Sequence, residues 1–417
     1  MRLGWNFVLV SLMPTRFRSI DALRGFAALW VFAYHLWNAF FPGYTRQADP
    51  REVLPLDADT PLQVLATLPV VGFGYAGIGL FFVLSGFCIH LPQAKRFHCG
   101  GADGLELRPF ATRRFWRLYP AFFASLFLAS LAYFTMNICW RRPLGEGGLS
   151  LAYILDSSGF GWLGVNALFL LPLDPQALAL NGVYWTLLYE VQFYLVYPLL
   201  LKLCRRWGFA PVGGLLLLAE LLFATVPTPG AFAGVQENFQ WFFLRRYFEW
   251  FLGMALAERL AAGRPFSRGN MGWLAFAGFA AGIAGTLHPL SWAVHEIALA
   301  VGSCGVVGFL IARPVDSLAV RGFGWFGDFS YSLYLVHMPI LRMVFALETL
   351  LPTTVREAGS FTAAGGVCLL AVPAVAWLLY RFVEKPYMLG LIPTPAPQLR
   401  SPPHPQTSLP CQSGIGA

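Results

Sequence analysis

Residues 20–37 read IDALRGFAALWVFAYHLW. The run is long and apolar enough for most of a membrane-spanning helix, which needs about 20 such residues. It nevertheless holds Asp21, Arg24 and His35, and titratable groups are costly in hydrocarbon. At about 100° per residue, the eleven steps from Arg24 to His35 return to within roughly 20° of one face. At 1.5 Å per residue the two stand about 16 Å apart along that face. Asp21 lies one turn before Arg24, placed to pair with it. A spanning helix with polar groups along one face sets the expected fold class: an all-α polytopic membrane protein whose interior carries the chemistry.

Composition agrees. Of 417 residues, 57% are hydrophobic and only 12% charged, whereas a soluble domain carries about 25% charge. The chain holds 38 Phe and 14 Trp, residues that anchor helices at membrane interfaces. The net charge of +8 is read as cytoplasmic loop charge, since no nucleic-acid motif is present. The seven cysteines form no C-x-x-C pair. Most lie in apolar runs and read as buried free thiols, with neither a disulfide framework nor a metal site.

Ten stretches have the length and apolarity of spans: Ile20–Phe41, Val70–Leu91, Leu118–Ile138, Val183–Leu203, Pro211–Val226, Trp241–Leu260, Met271–Leu287, Ser291–Ala312, Gly327–Glu348 and Phe361–Val383. Leu151–Leu173 is also apolar, but Asp156, paired serines and several glycines break it into an expected buried or re-entrant loop. With both termini inside, only Arg46, Arg51, Arg141, Arg142, Arg245, Arg246, Arg342 and Arg356 of the 29 basic residues fall outside. That asymmetry predicts an N-in, C-in bundle of about ten helices. Residues 1–18 read as a short basic cytoplasmic leader with no cleavage site, and Met13 is an alternative start. Residues 19–387 read as the transmembrane domain, and 388–417 as a disordered, Pro- and Ser-rich cytoplasmic tail. No internal repeat is evident.

Three further polar sets interrupt apolar sequence. In GVYWTLLYEVQFYLVYP, Glu190 lies about 10 Å into a helix entering from outside, and His35 about 9 Å from the outer end of its own helix. Matched depth makes the two candidates for a general-base pair; bonding of Glu190 to nearby tyrosines is the structural alternative. In ATRRFWRLYPAFFASL, Arg113, Arg114 and Arg117 stand where the third helix leaves the cytoplasm. They read either as positive-inside anchors or as a phosphate-binding cluster. FGDFSYSLYLVHMPIL places Ser330, Tyr334 and His337 at i, i+4, i+7 on one helix face, a polar packing seam or a cavity wall.

Some patterns are decoys. HCGGAD, His98 to Asp103, fits the H-x4-D pattern of soluble acyltransferase domains without the rest of that fold. GFGYAG, Gly72 to Gly77, fits G-x-G-x-x-G with no preceding strand, and is better explained by small residues at a helix interface. VLSGF around Ser85 is not a G-x-S-x-G elbow.

Six stretches in order — IDALRGFAALWVFAYH, GYAGIGLFFVLSGF, RRFWRLYP, YWTLLYEVQFYLVYP, FGDFSYSLYLVH and VEKP — resemble the acyltransferase-3 family of integral membrane acyltransferases. The likeness runs from about Ser19 to Tyr387. The family's R-x10-H pair falls on Arg24 and His35, and its R-x-x-R on Arg114 and Arg117. The resemblance implies transfer of an acyl group, commonly acetyl, from cytoplasmic acyl-CoA as co-substrate to a hydroxyl on an extracytoplasmic or lipid-linked sugar. Some members modify macrolides or polysaccharides, and some carry a fused SGNH hydrolase-like domain that is not expected in the thirty residues after VEKP. Membrane lipids are the surroundings, no nucleic acid is a partner, and a bacterial cytoplasmic (inner) membrane is the expected location.

The resemblance and the residue spacing together give the expected roles. Arg114 and Arg117, with Arg24, hold the CoA phosphates. His35, oriented by Glu190, takes the acceptor proton. Tyr334 or His337 stabilises the oxyanion, with Ser330 in the same cavity. Direct transfer and an acyl-His35 intermediate both stay open. The alternative from another class is a proton-coupled transporter or flippase of a lipid-linked sugar, which intramembrane His, Glu and Arg would also suit.

Overall fold

The computed structural model describes residues 15–40, 74–101, 104–140, 162–170, 180–225, 243–264, 266–287, 292–312, 315–348, 350–352, 354 and 361–388. These are helical, with no strand among them. In chain order the helices are α1 Thr15–Phe40, α2 Gly74–His98, α3 Leu107–Trp140, the short α4 Leu163–Ala167, α5 Tyr184–Trp207, α6 Phe209–Thr225 and α7 Tyr247–Ala261. They continue with α8 Arg268–Leu287, α9 Trp292–Ala312, α10 Leu318–Asp328, α11 Ser330–Glu348 and α12 Phe361–Leu379. α12 runs on through a π turn, Tyr380–Glu384, into Lys385–Met388.

Each of the ten stretches expected to span carries a helix. Among the described residues, six helices are long and apolar enough to cross a membrane: Ala76–His98, Leu107–Asn137, Tyr184–Trp207, Val294–Ala312, Ser330–Glu348 and Ala363–Met388. Phe209–Leu222 is apolar but shorter. The expected Gly327–Glu348 helix is in fact two. The chain breaks at Phe329 (φ −118°, ψ 22°), and Gly327 belongs to α10, whose start is capped by the Ser317 hydroxyl accepting from the Val320 amide. Within Leu151–Leu173, the described part is the single turn α4 and its flanks. Phe169 there is buried and stacks on Phe122 of α3 at 5.0 Å, while Leu168 and Leu170 beside it are exposed; the turn is too short to span. The leader before residue 15, the tail after 388 and nearly all of the loop between Cys139 and Asn181 lie outside the described residues.

α2 is central, packing on α1, α7 and α9, while α11 packs on α1, α3 and α12. Among the crossings too close for any side chain, two position the residues that matter below. A Cβ on Gly86 of α2 would collide with the Trp250 carbonyl, and one on Gly253 of α7 with the Val83 carbonyl. Likewise a Cβ on Gly25 of α1 would strike the Phe323 carbonyl, and one on Gly327 of α10 the Asp21 carbonyl. Such small-residue contacts let backbones approach where lipid offers no hydrophobic force between helices. Gly74 and Gly77 likewise lie against Tyr34 and Val31 of α1, which explains these two glycines of GFGYAG by packing; Gly72 lies outside the described residues.

The α2–α7 crossing yields a direct test. Gly253→Ala should lower the thermal midpoint in detergent, since overpacking costs about 1–3 kcal/mol. Gly214→Ala on α6, whose Cβ would meet nothing within 4 Å, should leave it unchanged. Equal midpoints for the two variants would mean the crossing is looser than described.

Candidate active site

The crossings bring five helices round one cavity of about 180 Å³. Its cationic end is formed by Arg24 of α1 with Arg114 and Arg117 of α3, beside Cys88 and Ile89 of α2 and Tyr194 of α5. Ser85, Glu190, Ser330 and Tyr331 line the middle, and Ile78, Phe81, Thr186 and Tyr334 the other end. The order follows from helix geometry: Ile78, Phe81, Ser85 and Cys88 descend α2 on one face at three- and four-residue steps.

Local sequence explains each placement. Gly25 admits α10 against α1, which seats the neighbouring Arg24 at the cavity base. Arg24 pairs with Asp21 at 3.7 Å, as the i, i+3 spacing predicted. Arg114 lies over the rings of Phe110 and Tyr194, at 5.5 and 5.7 Å from their centroids, cation–π contacts that favour a guanidinium in an otherwise apolar wall. The Gly86–Gly253 crossing lets the Trp250 indole N–H donate to Ser85 Oγ at 3.2 Å. Ser85 donates onward to Glu190 at 3.4 Å, and the Tyr194 hydroxyl donates to the same carboxylate.

Of the residues singled out from sequence, Arg24, Arg114, Arg117, Glu190, Ser330 and Tyr334 all line this cavity. Arg113 is exposed on α3 outside it. His35 and His337 stand beyond its apolar end. The His337 ring is buried, 5.6 Å from that of Tyr334 and 5.2 Å from that of His35. The Tyr334 hydroxyl accepts from Thr186 at 2.8 Å and donates to the Val183 carbonyl at 3.3 Å, so its ring is fixed between cavity and imidazoles.

The structure corrects the expected His35–Glu190 pair. Glu190 is held by Ser85 and Tyr194 inside the arginine-lined cavity, and the ring beside His35 is His337. Equal depth in a bilayer fixes one coordinate and leaves the lateral one free. The cysteine reading also changes. Cys204, Cys304 and Cys368 are buried, but Cys88 and Cys99 are exposed, and Cys88 opens into the cavity.

Other polar groups escaped sequence reading. Glu384, in the VEKP stretch, is buried in the π turn and accepts from Ser332 at 2.7 Å. His90, His98 and Arg205 all meet Glu258, at 2.9, 2.9 and 3.2 Å, so His98 of the H-x4-D decoy is engaged in an ion cluster. Arg246 is clustered with Glu249 and Glu296. The three-to-four-residue recurrence of Ile78, Phe81, Ser85 and Cys88 was the available signal for the α2 wall.

The bundle thus sets an anion-attracting pole at one end of an internal cavity and imidazoles, candidate proton acceptors, beyond the other. The chain belongs to the acyltransferase-3 family: the family model for its acyltransferase domain matches residues 17–381. It is 26% identical over 401 residues to acyltransferase MdmB of Streptomyces mycarofaciens, covering 89% of this chain and 92% of that one. It is 25% identical over 406 residues to peptidoglycan O-acetyltransferase OatA of Listeria monocytogenes, covering 88% of this chain but only 55% of that protein. A third relative, nodulation protein 10 of Rhizobium leguminosarum, is 25% identical over 374 residues, or 79% and 84% of the two chains. No solved structure matches. The protein is therefore an integral membrane acyltransferase, and the transporter alternative falls.

Three arginines and one carboxylate line the cavity, with Asp21 beside Arg24 and Glu384 near Arg117 set behind the lining, so the surface a solute meets favours anions. An anionic methanethiosulfonate should modify Cys88 several-fold faster than a cationic one of similar size, with Cys88→Ser identifying the product. Equal rates, or a faster cationic reagent, would contradict the electrostatics.

Proposed function

We propose that the protein moves an acyl group, acetyl first among the candidates, from cytoplasmic acyl-CoA to a hydroxyl on an extracytoplasmic or lipid-linked sugar or a similarly glycosylated acceptor. In this reading about ten helices cross a bacterial cytoplasmic membrane with both termini inside. The observation that carries the reading is the polarity of the cavity: guanidinium groups at the Arg24–Arg114–Arg117 end, apolar and aromatic side chains at the other, imidazoles beyond. That order matches acyl-CoA, whose phosphates are anionic and whose acyl end is apolar.

Arg114 and Arg117 take the phosphates, with Arg24, because planar guanidinium forks suit phosphate oxygens. Glu190 serves the donor cavity as counter-charge to the arginines, in place of the base-orienting role expected from depth. The pantetheine arm rises past Ser85 toward Tyr334. At the far end the acceptor hydroxyl reaches His35 from the outer side. His35 accepts the hydroxyl proton as the oxygen attacks the thioester carbonyl. A C–O bond forms, the C–S bond breaks, and the proton passes to the departing thiolate to give free CoA. His337 is the candidate donor to the developing oxyanion, and the Tyr334 hydroxyl expected in that role could serve only by giving up its bond to the Val183 carbonyl. The chain's own residues supply every one of these roles, with acyl-CoA as co-substrate.

Membrane vesicles with radiolabelled acetyl-CoA and a sugar acceptor test the reading. His35→Ala should lower label transfer by about 10²–10⁴-fold while the protein still inserts; transfer at the wild-type rate would exclude His35 as base. Arg114→Ala combined with Arg117→Ala should weaken CoA binding by about tenfold or more, as expected for loss of charge-assisted hydrogen bonds. Unchanged CoA affinity would remove the donor site from this cavity.

A further inference from the structure

The apolar end of the cavity is lined by a definite set of rings. Phe81 of α2 and Tyr334 of α11 both line it and meet edge-on, with centroids 5.8 Å apart and planes at 72°. Ile78, one turn before Phe81, lines the same end. Behind Tyr334 comes His337, itself packed on Phe32 at 6.4 Å and His35 at 5.2 Å. The wall is rigid on the Tyr334 side, where the hydroxyl is tied to Thr186 and Val183. Phe82, next to Phe81, packs on Phe193 at 5.2 Å and Tyr189 at 6.2 Å, which locks this turn of α2 in place.

We propose that Phe81 and Tyr334 determine which acyl chain length the enzyme accepts, with Ile78 completing the wall. The inference rests on the acyl-CoA reading above. With phosphates at the arginines, the acyl carbon lies at the far end of the donor, where these rings stand. On this reading a two-carbon group lies against the Phe81–Tyr334 pair with its carbonyl turned toward the His337 and His35 side. Each further methylene must displace a ring that close packing holds, and filled interiors resist added volume. A hydrophobic pocket separates homologues differing by one methylene by about 10–200-fold, so two aromatic rings suffice to make the enzyme selective for short chains. The role is one of specificity: neither ring need exchange a proton or bear charge for it.

The test uses purified full-length protein in detergent and binding alone, so it needs no knowledge of the acceptor. Dissociation constants are measured for unacylated CoA and for non-hydrolysable thioether analogues carrying two-, four- and eight-carbon chains. Each is expressed relative to unacylated CoA on the same variant. Wild type should bind the two-carbon analogue best and the eight-carbon analogue at least about tenfold more weakly. Phe81→Ala should raise relative affinity for the four- and eight-carbon analogues about tenfold or more, and Phe81→Trp should depress even the four-carbon one. Tyr334→Ala, which removes the other ring of the wall, should shift the chain-length profile in the same direction as Phe81→Ala. If the variants bind CoA but the profile stays that of wild type, or if wild type does not discriminate, the chain-length assignment is overturned and the donor site stands. If wild type binds neither CoA nor any analogue, the acyl-CoA reading falls and this inference with it.

Discussion

Three guanidinium groups inside an apolar helix bundle are the constraint on which the rest of this structure depends. An arginine in a bilayer is tolerated where it faces the protein interior or a water-filled cavity and finds partners there. Arg24, Arg114 and Arg117 meet that condition by sharing one cavity with Glu190. Asp21 lies beside Arg24, and the rings of Phe110 and Tyr194 flank Arg114. Removing the cavity would strand three charges; removing the charges would leave the cavity without affinity for an anionic donor. The same groups thus set both the architecture and the direction in which a substrate lies.

Backbone contact makes that convergence geometrically feasible. Gly25 against α10 and Gly327 against α1 bring the base of α1 next to the start of α11, so that Arg24 and Ser330 line one wall. Gly86 against α7 and Gly253 against α2 bring Trp250 onto Ser85 and, through it, onto Glu190. A side chain at any of these glycines would push a helix outward and move a cavity residue with it. The polar chain Trp250–Ser85–Glu190–Tyr194 links three helices by side-chain hydrogen bonds in surroundings where water competes little, which favours a single arrangement.

Much of this was legible in one sequence, for reasons that differ between residues. Helical periodicity is a local rule. It therefore paired Asp21 with Arg24, placed Ser330, Tyr334 and His337 on one face, and put Arg24 and His35 at two ends of another. Hydropathy located every helix that lines the cavity. What failed were statements about lateral position. Glu190 and His35 lie at similar depth by residue counting, yet Glu190 lines the arginine-bearing cavity and His337 is the neighbour of His35. The contribution of α2 was hidden because Phe81, Ser85 and Cys88 are ordinary residues for an apolar span, and only the face they share makes them a wall. Glu384 stands in the VEKP stretch, but its burial depends on a π turn that no local pattern announces. The break at Phe329 was likewise invisible to hydropathy, because both flanks are apolar.

The central claim is that donor polarity matches cavity polarity. An experimental structure with a non-hydrolysable acyl-CoA analogue bound tests it most directly. The account requires the phosphates within hydrogen-bond distance of the Arg114 and Arg117 guanidinium groups, and the sulfur at the Tyr334 end with His337 and His35 beyond. A nucleotide bound outside this cavity, or one lying in it with its acyl end toward the arginines, would contradict the account.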